Sequence, residues 1–251
     1  MYQEERIEEI LNMLEKQQRI RVEDVCEAFD VSRDTARRDL VKLSERGDIV
    51  RVHGGAMLPK RPERLHYKER LTRANEEKQR IGKLAASFIK NQDSVIFDTS
   101  TTVQSLIRYM EVESVTAVTN SVYAAELLSE TSADIHLLGG QLNKEQRFLY
   151  GPSVLEKLED FYTDKVFVGT LGISEQGLSS YHEEDGYVKK KMIQRADEVI
   201  VVADHSKMER NGFYTFSSLE EVDLVITDKE PSSTMKDVFE QYAVTWLTAD
   251  K

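Results

Sequence analysis

Seven short apolar runs punctuate the chain after residue 80: SVIFD, VTAVTN, DIHLLGG, KVFVGTLGI, EVIVVAD, DLVITD and AVTWL. Helical patterns lie between them. Strand-length apolar runs alternating with amphipathic helices predict βαβ units, and so a mainly parallel sheet covered by helices. Ile81, Leu84, Ala85, Phe88 and Ile89 recur at helical spacing and supply the first covering helix.

The first 58 residues have a different texture. Ile7, Ile10, Leu11 and Leu14 mark one amphipathic helix, and Ile20 and Val22 around Arg21 a short strand. Val25, Ala28 and Phe29 share one face of a second helix, which Asp30-Val31 ends in a tight corner. Ser32 is a good N-cap for a third helix, with Ala36, Leu40 and Leu43 inward and an end near Gly47. DIVRVHGGAML then breaks at Gly54-Gly55 and reads as a hairpin-like wing. Pro59 and Pro62 bracket a basic stretch, so the expected order is a small domain over 1–58, a linker over 59–72 and an α/β domain over 73–251.

The 251 residues carry a net charge of −11, yet the third helix concentrates Arg33, Arg37, Arg38 and Lys42. The acidity is uneven: net −3 over 1–58, +4 over 59–80 and −12 over 81–251. A local positive face decides nucleic-acid attachment, so the acidic bulk does not exclude it. In a helix-turn-helix the second helix presents its N-terminal residues to base edges, and arginine reads guanine. Asp39 is expected to pair with Arg38 or a neighbouring arginine. The single cysteine, Cys26, reads as a core thiol, and the five scattered histidines lack metal-ligand spacing, so no metal or cofactor is expected. No apolar run reaches membrane-spanning length and the start is acidic, so a cytoplasmic chain without a membrane partner is expected.

In an open parallel sheet, ligands collect at the carboxyl ends of the strands. Those ends hold Asp98-Thr99-Ser100-Thr101-Thr102, Asn120, Gly139-Gly140, the glycines from Gly169 to Gly172, and Asp204 to Lys207. Hydroxyls and backbone N–H groups suit an anion. Lys189, Lys190 and Lys207 can supply positive charge to a phosphate, Asp98 can accept from sugar hydroxyls, and HEED at 182–185 adds carboxylates, Glu183 among them. Together they predict a pocket for a phosphorylated polyol.

The stretch VSRDTARRDLVKLSERGDIVRVHGGA resembles the N-terminal signature of the DeoR family of bacterial transcription regulators, through Val31, Ser32, Thr35, Arg37, Arg38, Asp39, Leu40, Leu43, Gly47, Arg51, His53, Gly54, Gly55 and Ala56. The resemblance implies a winged helix-turn-helix in which Thr35, Arg37 and Arg38 contact operator DNA, Arg51 and His53 lie in the wing, and Arg33 tunes sequence choice. Ser32 and Lys42 complete the expected DNA-facing set. Asp98, Thr101, Thr102, Asn120, Gly139-Gly140, Gly172, Lys189 and DHSK at 204–207 are similar to the family's sensor domain. This implies a fold related to ribose-5-phosphate isomerase and a sugar-phosphate effector. Ser100 stands where the family commonly has glycine.

The expected function is a DNA-binding repressor of a sugar-metabolism operon, released by a phosphorylated sugar. Two alternatives are an isomerase-like enzyme using Asp98, Glu183, Lys189 and Lys207, and a DNA-binding protein whose C-terminal domain only oligomerises. Symmetric operators call for two reading heads, so a homodimer or homotetramer is expected, with 71–90 and 232–242 as candidate contact helices.

Overall fold

A computed structural model describes residues 3–17, 19–45, 48–52, 54–57, 67–72 and 75–249. The chain divides into two compact units, Met1–Glu63 and Arg64–Lys251.

The small unit contains α1 (Gln3–Gln17), β1 (Arg19–Arg21), α2 (Val22–Phe29), α3 (Arg33–Glu45), β2 (Val50–Val52) and β3 (Gly55–Met57). Apolar residues at helical spacing meet in one core: Ile7, Ile10 and Leu14 of α1, Val25 of α2, and Ala36, Leu40 and Leu43 of α3. Asp30 ends α2 in the left-handed region (φ 50°), its N–H donating to Cys26 O, and this makes the corner before α3. Ser32 caps α3 by accepting Thr35 N–H at 3.2 Å. β2 and β3 form the wing, with Arg51 opposite Ala56, and β1 joins it in the order β1-β3-β2. That third strand needs Gly55, because a Cβ there would meet Ile20 O at 2.1 Å. Two parts of the expected scheme, the helix end near Gly47 and residue His53, lie outside the described residues.

The large unit opens with α4 (Tyr67–Thr72) and α5 (Asn75–Ala86). Then come β4 (Ser94–Phe97), α6 (Thr101–Ile107), β5 (Thr116–Thr119), α7 (Val122–Leu128) and β6 (Asp134–Leu137). A hairpin, β7 (Gln141–Asn143) and β8 (Phe148–Tyr150), leads to α8 (Pro152–Glu159), β9 (Thr163–Val168), β10 (Gly172–Ser174), β11 (Gly177–Ser180) and α9 (Glu183–Ile193). β12 (Ala196–Val202), β13 (Tyr214–Ser217), β14 (Leu224–Thr227), α10 (Ser233–Gln241) and β15 (Thr245–Thr248) finish it.

All seven apolar runs become strands of one parallel sheet, ordered β15-β14-β12-β9-β4-β5-β6. Strand alternation sends Ile96, Val166, Val168 and Val201 to one face, under α8, α9 and α10. It sends Val95, Phe97, Phe167 and Ile200 to the other, under α5, α6 and α7. From β4 the order runs outward in both directions, so the β4/β9 boundary is a topological switch point. A three-stranded antiparallel sheet, β10-β11-β13, adds to the expected architecture.

One expectation is corrected here. The linker was expected to reach residue 72, but Tyr67–Thr72 is a helix of the large unit. Its Tyr67 is buried and donates to Gln104 Oε1 at 2.7 Å; residues 59–66 lie outside the described residues. Of the candidate contact helices, α5 buries Ile81 and Ala85 and α10 buries Met235 and Phe239 within their own unit.

Candidate functional site

The α3 surface carries the expected cations. Arg33, Arg37 and Arg38 are exposed, and so is Arg51 on the wing. Arg37 and Arg51 line one cleft of 380 Å³ with Val22, Glu23, Leu40 and Val52, which brings helix and wing residues together. Arg33 is tied back to α2, its Nη2 2.9 Å from Glu23 Oε1. Lys42 is partly buried and donates to Gln3 Oε1 at 3.4 Å. Ser32 and Thr35 spend their hydroxyls on each other, 3.0 Å apart, at the helix cap.

Asp39 does not pair with Arg38. It is fully buried and takes Arg6 Nε at 2.6 Å and Gln3 Nε2 at 2.8 Å, both from α1. A position one step from the exposed Arg38 points into the core, so its cation must come from another helix.

In the large unit, the ends of β4 and β9 hold a buried charge cluster at the switch point. Asp98 is fully buried; its Oδ1 accepts Ser100 N–H at 2.7 Å and its Oδ2 accepts Gly169 N–H at 2.9 Å. Lys189 of α9 lies 3.1 Å from Asp98 Oδ2 and 3.3 Å from Asp185 Oδ2, and donates to Gly169 O at 2.7 Å. Burial opposes the Lys189 charge, but Asp185 and Asp98 outweigh it and hold its pKa above the ordinary value. Burial dominates at Asp98 and pushes that carboxyl up.

The DTSTT loop turns on these contacts. Ser100 has φ −65°, an ordinary conformation, and its Oγ caps α6 by accepting Thr102 N–H at 3.1 Å. Thr99, Thr101 and Thr102 are buried beside it. Arg70 of α4 donates to Gln146 Oε1 at 2.9 Å, and its Nε has no hydrogen-bond partner. Burial pushes its pKa down, against the attraction of Asp185 and Asp98. Asn120, after β5, donates to Leu149 O at 2.8 Å, while its buried Oδ1 has no partner.

The remaining expected residues stand apart from this cluster. Glu183 is exposed and accepts from Tyr187 Oη at 2.9 Å; Asp185, two residues on, is the acid that reaches Lys189. The signal for Asp185 was its i,i+4 spacing to Lys189. Arg70 and Gln104 are not among the expected ligand residues, and nothing local marks them; Gly169 is expected only as one of the glycines at a strand end. Gly139 and Gly140 form the exposed turn into β7, where a Cβ on Gly140 would meet Val154 Cγ2 at 2.5 Å. Gly172 is buried in β10, where a Cβ would strike Arg210 O at 2.2 Å. Lys207 follows β12, 3.9 Å from Asp204 Oδ2. Burial opposes the Asp204 charge, but Lys207, the Ser206 hydroxyl, Lys78 and His205 together hold its pKa at about 2. Beside it, Asp228 Oδ2 lies 2.8 Å from His205 Nδ1.

Among the described residues no cluster of potential metal ligands occurs, and no helix is long and apolar enough to cross a membrane. Two family domains match the chain: the DeoR-like helix-turn-helix domain over 6–61 and the DeoR C terminal sensor domain over 73–229. The HTH-type transcriptional repressor GlcR of Bacillus subtilis (strain 168) is 48% identical over 100% of this chain and 98% of its own length. The glycerol-3-phosphate regulon repressor of Escherichia coli (strain K12) is 30% identical over 97% of this chain and 98% of its own. Ribose 5-phosphate isomerase A from Methanocaldococcus jannaschii superposes with a TM-score of 0.40 at 17% identity, over 54% of this chain and 55% of that one. The chain belongs to the DeoR family and is a DNA-binding transcription regulator, not an enzyme.

Proposed function

We propose that this chain represses a sugar-metabolism operon, and that a phosphorylated sugar bound at the strand ends of the large unit sets its affinity for operator DNA. The small unit, 1–58, is the reading head, with Arg37, Arg38 and Arg51 toward the duplex. The large unit, from α4 with its Arg70 onward, carries sensing and assembly into a homodimer or homotetramer.

The observation that carries the effector reading is the cluster at the switch point. Lys189 and Arg70 place two cations beside Asp98 and Asp185, deep among the sheet ends. Arg70 Nε and Asn120 Oδ1 lack partners, a donor and an acceptor of the kind that a phosphate and a sugar hydroxyl satisfy. A core built only for stability gains little from such groups. The Escherichia coli relative is named for the regulon of a phosphorylated polyol, which agrees in chemistry. Control follows if the effector binds one conformation more tightly than the other.

The test is a mobility-shift assay on the DNA upstream of the protein's own operon, with a panel of sugar phosphates and their unphosphorylated parents. A phosphorylated sugar is expected to weaken the complex while its parent does not. If calorimetry detects no binding of any sugar phosphate while DNA binding persists, the large unit serves assembly alone.

A further inference from the structure

The seven-stranded sheet ends at β6, which pairs with β5 on one side only. Asp134 N–H donates to Val115 O at 2.9 Å and Leu138 N–H to Thr119 O at 2.8 Å. Alternation along a parallel ladder therefore turns the N–H and C=O groups of Ile135 and Leu137 away from β5, toward the open edge. Soluble proteins usually blunt such an edge with proline, lysine, a bulge or a covering segment. β6 reads DIHL, without proline or lysine, and three of its four residues are exposed. Leu137 is an exposed apolar residue there, at 47%.

Its acid and imidazole are ordered self-complementarily. Asp134 and His136 flank Ile135, with carboxylate and imidazole 3.9 Å apart and both side chains exposed, the His136 ring also lying against Phe161 with centroids 5.1 Å apart. If a twofold axis passes through Ile135, an antiparallel copy sets Asp134 against His136 of the second strand, and His136 against its Asp134. Ile135 then faces its own copy as a hydrogen-bonded pair, which matches the outward direction of its backbone groups. The Asp134–His136 pairs fall at the non-hydrogen-bonded positions, where side chains approach most closely. The far edge, β15, reads TWLT and has no such pattern.

We infer that two copies of this chain pair edge to edge through β6, antiparallel about Ile135, and so continue the sheet across a twofold axis. Leu137 is covered in that arrangement. The partner is a second copy because a strand with this order of carboxylate and imidazole, acceptor and donor, complements itself. The inference does not depend on effector binding.

The test uses the full chain in light scattering and sedimentation across a concentration series. His136→Glu puts four carboxylates at the junction and is expected to raise the dissociation constant by about tenfold or more. The double variant Asp134→Lys with His136→Glu restores opposite charges and is expected to recover the assembly. Hydrogen exchange at the Leu137 amide should slow as the parent protein associates. A monomeric parent, an unaffected His136→Glu, a double variant as weak as the single, or a Leu137 amide indifferent to concentration each overturns the pairing.

Discussion

Ser100 fills the space that a side chain on Gly169 would need: a Cβ built on Gly169 falls 2.2 Å from Ser100 Oγ and 2.3 Å from its Cβ. The loops after β4 and β9 thus close on each other directly beneath Asp98, which binds both of their backbones. Ser100 itself needs no glycine-like conformation. The contact puts the demand for a glycine on the opposite loop.

Gly169→Ala is therefore expected to destabilise the large unit by about 1–3 kcal/mol through overpacking. Ser100→Gly in the same chain should recover most of that loss, since replacing a capping serine by glycine costs only about a few tenths of a kcal/mol. Thermal denaturation of the two single variants and the double one measures the coupling. Additive effects would separate the two positions.

Asp39 holds the reading head together from within. Removing it leaves Arg6 as a nearly buried cation without its carboxylate. Breaking a buried ion pair from one side costs about 3–5 kcal/mol. Asp39→Ala should therefore speed hydrogen exchange across α1 and α3 while leaving the α/β unit protected. Exchange unchanged in α1 would mean that the pair contributes little.

What was legible in the sequence follows from how each feature is encoded. The five inner parallel strands are readable because strands buried on both faces are largely apolar, whereas the edge strands DIHL and TWLT are partly exposed and are readable only from their place in the strand–helix alternation. β11 and β13 read GLSS and YTFS, polar enough to pass as loop, and only their pairing makes them a sheet. Asp98 and Lys189 stand out in the sequence because one ends a strand and the other stands in a lysine run, and the fold brings them together as a buried ion pair. Asp185 is legible from its i,i+4 spacing to Lys189, which puts the two on one helix face and leaves Glu183 exposed on another. Arg70 is not legible: its role arises from its hydrogen bond to Gln146 and the attraction of Asp98 and Asp185, all distant along the chain, which local pattern does not carry.

Asp204 gives the pH dependence a sign. Its ordinary value is 3.8 and its folded value about 2, so the charged form is favoured by folding. A depressed carboxylate contributes stability in full above its unfolded pKa, and that contribution fades as pH falls from about 4 through 2. The shift corresponds to about 2 kcal/mol at neutral pH. Asp204→Asn should therefore be less stable than the parent at pH 7, and the two denaturation curves should converge toward pH 2. A constant difference across that range would assign the loss to packing. Asp98, which burial pushes up, slopes the other way in both proteins and cancels in the comparison.

Arg70 tests the effector proposal without touching DNA. Its guanidinium is held by Gln146 and attracted by Asp98 and Asp185, and Nε is unused. Arg70→Lys keeps the charge but loses the planar fork that binds phosphate in two places. Operator affinity without sugar phosphate should be unchanged, while the concentration of sugar phosphate needed for release should rise about tenfold or more. Equal responses in parent and variant would remove Arg70 from the effector site.

Arg38 and Lys42 should part company on the DNA. Arg38 is exposed near the start of α3, while Lys42 lies one turn later, partly buried and leaning on Gln3. A side chain that reads a base edge carries sequence preference, whereas one that holds phosphate carries salt dependence. Arg38→Ala is expected to cost about 1–3 kcal/mol of discrimination between operator and scrambled DNA. Lys42→Ala should leave discrimination intact and reduce the salt slope by less than about one. Titrations at several salt concentrations on both DNAs separate the two effects. If Arg38→Ala weakens both DNAs equally, Arg38 grips the backbone, and base reading passes to Arg37, which shares its cleft with Arg51 of the wing.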